Sequence, residues 1–173
     1  MLDAVGTDTE SLAVCCVDAP PLERISCEPK RLKVLVVEDD ASTSVMIERC
    51  LTHIAAFEPQ IAVAGTLAAA KFALDADDFD IVLIDSEMLL HAASSCLLSL
   101  GRPWERCASL HLTGAGTAGM SPRTEDGAAS ACLAKDNISP KRLATAILTA
   151  IQDHARYCTQ EALKAELSTH QGA

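Results

Sequence analysis

Five short apolar runs alternate with segments of helical spacing, and this alternation limits the chain to one class of fold. The runs are VLVV (34–37), IAVA (61–64), IVLI (81–84), CASLHLT (107–113) and ACLA (131–134). Continuous apolar residues, many of them β-branched, predict strands covered on both faces. Between them, residues 42–55 carry Val45, Met46, Cys50 and Ile54 on the expected apolar side, with Ser42 or Thr43 as the cap. LAAAKFALDA (67–76) follows a Thr66 cap and is rich in helix formers. Residues 92–100 predict a helix stopped by Gly101 and Pro103, and 122–129 one opened by Pro122. From Ser139 and Pro140 a long helix is predicted to about residue 168, with Leu143, Ile147, Leu148 and Ile151 apolar. Strand followed by helix, five times over, implies an α/β fold: a doubly wound parallel sheet with helices on both faces.

Residues 1–30 do not share this pattern. They hold six acids and two bases, with Pro20, Pro21 and Pro29, and predict a flexible acidic arm. DADDFD (75–80) reads as a solvated turn.

Composition excludes several functions. Aromatic residues are 3% of the chain, too few for a base-stacking surface. The net charge is −10 with no Lys/Arg cluster, which argues against a phosphate-backbone footprint and hence against direct DNA binding. No apolar run approaches the ~18 residues of a membrane span, and the acidic N-terminus lacks the character of a signal peptide. The eight cysteines are scattered apart from Cys15–Cys16, without zinc spacing, and read as reduced, mostly buried thiols of a cytoplasmic protein. A redox or metal role at Cys15–Cys16 stays open. His53, His91, His111 and His154 show no ligand spacing, and His111, within a strand, is expected to pack.

Chemistry-bearing residues fall at the strand ends. The first predicted strand ends at Glu38, Asp39 and Asp40, the third at Asp85, the fourth at Thr113 and the fifth at Lys135. In a parallel sheet these ends share one edge, where open α/β sheets bind ligands. Paired carboxylates there suit a hard cation such as Mg²⁺, and a hydroxyl and an ammonium suit phosphoryl oxygens.

KVLVVEDD (33–40), FDIVLID (79–85), LTG (112–114) and CLAKDNIS (132–139), in this order and spacing, resemble the receiver domain of two-component response regulators over about residues 32–155. The resemblance implies a flavodoxin-like sheet of order 2-1-3-4-5. It implies Asp85 as phosphoacceptor, Glu38 and Asp39 as the Mg²⁺ pair, and the backbone carbonyl of Glu87 as a further ligand. Thr113 would be the hydroxyl switch and Lys135 the phosphate-binding lysine. It also implies a sensor histidine kinase or histidine phosphotransfer protein as donor, and a signalling module rather than an enzyme. The expected division is an arm at 1–30, a receiver at 31–155 and a helical extension at 156–173. The few residues after 155 are too short for a helix-turn-helix, so the expected output is protein–protein contact or phosphorelay from a stand-alone receiver.

The sequence departs from the family at three places. Cys132 stands where an aromatic is usual, Asp136 where proline follows the lysine, and Leu89 where proline lies four residues past the acceptor. These departures motivate an alternative, a receiver-like interaction module that works without phosphorylation. A haloacid-dehalogenase-type phosphatase also uses a strand-end Asp, a Thr or Ser and a Lys. It places a second Asp where this chain has Glu87, and its metal acids after the lysine.

Overall fold

The computed structural model describes residues 30–91, 107–114 and 131–170. The arm with Cys15–Cys16 and the helices expected at 92–100 and 122–129 lie outside the described residues. The elements are β1 (Lys30–Val37), α1 (Ala41–Thr52), β2 (Phe57–Ala64), α2 (Leu67–Ala76), β3 (Ile81–Asp85), α3 (Ser86–Leu90), β4 (Ala108–Thr113), β5 (Ala131–Ala134), a 3-10 turn (Lys135–Asn137) and α4 (Pro140–His170). All strand pairs are parallel, in the order β2-β1-β3-β4-β5, as the flavodoxin-like expectation required.

The continuous apolar runs follow from this layering. Successive strand residues point to opposite faces. Val34 and Val36, with Ile81, Leu83, Leu110 and Leu112, pack against Ile47 and Leu51 of α1 and Leu143 and Ile147 of α4. Leu35 and Val37, with Val82 and Ile84, pack on the other face against Ala70 and Leu74 of α2. Both faces are therefore dry, and every position of β3 is buried.

Several local expectations are corrected. Strand β2 begins at Phe57 rather than Ile61, and includes Pro59. Proline lacks a ladder N–H but is tolerated in an edge strand, and β2 is one edge of the sheet. The buried stripe of α1 is Ser44, Ile47 and Leu51. Val45 and Met46 face outward, 63% and 38% exposed. The helix ends at Thr52, short of residue 55, and its cap is Asp40, not Ser42 or Thr43. Asp40 Oδ1 accepts from Ser42 N–H at 2.6 Å and Thr43 N–H at 3.1 Å. Hydrogen bonds from Ser42 and Thr43 hold the Asp40 carboxyl below its ordinary range.

Thr66 caps α2 as expected, accepting from Ala69 N–H at 3.1 Å. In α4, Leu148 is exposed while Leu143, Ile147 and Ala150 are buried. The 75–80 segment is tied down rather than merely solvated: Asp80 accepts from Lys33 N–H at 2.7 Å and Asp77 pairs with Lys33 Nζ at 2.7 Å. Of the four described cysteines only Cys107 is buried, whereas Cys132 and Cys158 are exposed. Among the described residues no helix is long and apolar enough to cross a membrane.

His111 packs as expected, 3% exposed in β4. Burial lowers its pKa to about 4. The unfolded chain takes up a proton near pH 6.5 that the folded chain refuses until about pH 4, so His111 costs stability as pH falls through that window. The loss is on the order of 3 kcal/mol. Replacing His111 with Leu should flatten the urea-unfolding free energy between pH 6.5 and 4, and an unchanged slope would assign acid sensitivity elsewhere. Leu83→Ala should cost about 2–5 kcal/mol in the same assay, because Leu83 is wholly buried mid-sheet.

Candidate functional site

Doubly covered strands release charged side chains only at their ends. Glu38 directly follows β1 and extends the pairing by one bond, its N–H donating to the Ala64 carbonyl at 3.1 Å. Asp85 is the last residue of β3 and Lys135 the first after β5. The structure brings these three together. Lys135 Nζ lies 2.8 Å from Glu38 Oε2 and 3.1 Å from Asp85 Oδ2. Both carboxylate residues are only 2% exposed.

The environment acts on each charge differently. Burial raises the Glu38 carboxyl above its ordinary range, against the opposing pull of Lys135. Burial also pulls Lys135 downward, but hydrogen bonds to Glu38 and Asp85 outweigh it and leave the ammonium raised. Lys135 is therefore a firmly held cation between two acids.

Asp39 is exposed, and its carboxylate shares a locus with Glu38 and Asp85 in which the three ligand oxygens lie within 4.8 Å of one another. Three carboxylates around one ammonium leave a deficit of positive charge. A hard divalent cation with oxygen preference fits that donor set.

Asp85 also caps α3. Its Oδ1 accepts from Glu87 N–H at 3.0 Å, so one oxygen is fixed by backbone and the other by Lys135. The Glu87 carbonyl accepts from His91 N–H at 3.0 Å inside α3, which leaves one of its lone pairs. The Glu87 side chain turns toward β4: a Cβ added to Gly114 would lie 2.5 Å from Glu87 Oε1. Glycine therefore makes room for this carboxylate, a contact with no sequence signal. Thr113 is the last residue of β4, buried, in register with Ala134 and hence one step from Lys135. Asp136, at the position where the receiver resemblance leads one to expect proline, lies in the 3-10 turn.

Removing the Glu38 charge while keeping its shape tests this electrostatic reading. Because the folded-state Glu38 carboxyl is raised, the fold loses stability as pH climbs through the carboxylate range. Glu38→Gln should therefore raise Tm in metal-free buffer at neutral pH and weaken Mg²⁺ binding at least about tenfold by calorimetric titration. A lowered Tm with unchanged Mg²⁺ affinity would refute the charge-deficit account.

No protein-family model matches the sequence, and no curated protein does. Solved structures match the fold. A response regulator receiver domain protein from Clostridium thermocellum is 22% identical, with 70% of this chain and 94% of that chain covered and a TM-score of 0.53. A CheY-like response regulator receiver domain protein from Methanospirillum hungatei JF-1 is 19% identical, covering 75% and 99%, with a TM-score of 0.55. The signal receiver domain of an HD domain-containing protein from Pseudomonas fluorescens Pf-5 is 15% identical, covering 73% and 99%, with a TM-score of 0.57. The fold of this chain is that of receiver domains.

Proposed function

We propose that the chain acts as a response-regulator receiver in which Asp85 accepts a phosphoryl group from a phosphohistidine donor. The observation that carries this reading is the Lys135 ammonium seated between Glu38 and Asp85 at the carboxyl edge of the sheet. Glu38, Asp39, Asp85 and the Glu87 carbonyl would hold Mg²⁺. When bound, it would neutralise the acidic pocket and the incoming phosphoryl oxygens.

The residues divide the remaining work. The Glu87 N–H and the Lys135 ammonium fix the Asp85 carboxylate in one orientation, so little reorganisation precedes attack. An Asp85 oxygen forms the new bond to phosphorus as the phosphorus–nitrogen bond of the donor breaks. The bonding pair leaves on the imidazole, which takes a proton to become neutral histidine. Lys135 then turns from the Asp85 carboxylate to the transferred phosphoryl oxygens, with the Thr113 hydroxyl as second donor. The buried setting strengthens these contacts by excluding water.

The α1 surface supports a protein donor. Val45 and Met46 are exposed on the helix that starts just past Glu38 and Asp39. Adaptable apolar side chains beside a reacting edge suit a docking face. Output then passes to a protein partner or along a phosphorelay. With Cys132 at the position of the usual aromatic, any change at Thr113 must reach that partner by another route.

Intact mass after incubation with acetyl phosphate and Mg²⁺ tests the reading. Wild type should gain one phosphoryl group, and Asp85→Asn and the Mg²⁺-free sample should not. If wild type gains none, either from acetyl phosphate or from a panel of phosphorylated donor proteins, the phosphorylation-independent interaction module takes its place.

A further inference from the structure

His154 and Cys158 stand one turn apart on α4, past Ala150, the last buried residue of that helix among those described. The sequence shows no ligand spacing among its histidines, and the helix corrects this at one place by pairing a histidine with a cysteine. Residues four apart share one helix face. Cys158 Sγ lies 3.5 Å from His154 Nε2. A tetrahedral zinc-class cation, with bonds of about 2.3 Å to sulfur and 2.0–2.1 Å to nitrogen, holds those two atoms about 3.5–3.6 Å apart. The pair is already at the separation that ligation requires.

We propose that His154 and Cys158 form half of a metal site for a borderline-soft divalent cation such as Zn²⁺, completed by the same pair from a second copy of this chain. Two donors leave two tetrahedral positions to fill. The neighbouring carboxylates on the helix are engaged: Asp153 pairs with Arg156 at 3.3 Å and Glu161 with Lys164 at 2.7 Å.

A second copy fits for three reasons. Ala155, Cys158, Ala162 and Ala165 repeat at steps of three and four, the spacing of a helix–helix seam, and Cys158 lies in it. Ala155 and Ala162 are exposed, and small side chains there let two helices approach closely. The charge also balances. Each chain carries −10, which opposes association. Two thiolates and one divalent cation sum to zero, so the metal adds a neutral junction to an otherwise repulsive pairing. On binding, each thiol releases its proton to solvent as its sulfur–metal bond forms.

Cobalt is the probe, because thiolate ligation gives a charge-transfer band and tetrahedral geometry gives intense visible bands. With excess Mg²⁺ filling the acidic site of Glu38, Asp39 and Asp85, the thiolate band of full-length reduced protein should saturate at one Co²⁺ per two chains, and its mass by sedimentation should double on addition of Co²⁺ or Zn²⁺. Cys158→Ser should lose both signals and His154→Ala should weaken them, with unchanged circular dichroism, since both changes lie beyond the packed part of α4. The other seven cysteines make this comparison necessary. A thiolate spectrum that persists in Cys158→Ser, saturation at one cation per chain without a mass change, or no thiolate spectrum in wild type would each overturn the proposal. Asp85→Asn should keep the cobalt spectrum and Cys158→Ser should keep the phosphoryl adduct, so the two sites fail independently.

Discussion

A sheet buried on both faces can place charge only at its edges and ends, and this protein depends on that constraint. Val34 to Val37 and the whole of β3 are dry. Glu38, Asp85 and Lys135 meet because each is the first residue at or beyond the point where its strand leaves the core. The meeting is not free of cost. Two carboxylates at 2% exposure are stable beside each other only through the ammonium between them. The site is thus held in a state of unfinished charge balance, suited to a ligand that brings positive charge.

The same cluster fixes the orientation of Asp85. Asp85 is anchored at both oxygens, by backbone on one side and by Lys135 on the other. A ligand that drew Lys135 away would leave the backbone contact, and with it the orientation of the carboxylate, in place. The contact of Glu87 with Gly114 adds a further acid at the margin, on the β4 side where Thr113 sits.

Much of the strand and site geometry was legible because it rests on short-range signals. Apolar runs marked each strand, and strand-end polar residues marked the site. The misses share a physical cause. Pro59 in β2 and the outward Val45 and Met46 are decided by which face a neighbour covers, and hydropathy does not contain that. Asp40 took the cap of α1 because its short carboxylate reaches two N–H groups at once. The acids at 77 and 80 look solvated in sequence because their partner, Lys33, lies 44 and 47 residues away in the chain. Cys132 and Cys158 are exposed although thiols in apolar sequence surroundings usually pack, because no neighbouring element among the described residues covers them.

The sequence by itself determined the alternation of strand and helix, the sheet it implies, and the residue types delivered to its edge. These follow from periodicity and from strand ends, both of which are local. Tertiary structure decided which acids Lys135 touches, which face of α1 is wet, and where Glu87 leans. Those outcomes depend on distances between segments far apart in the chain, which only the packed sheet and its covering helices set.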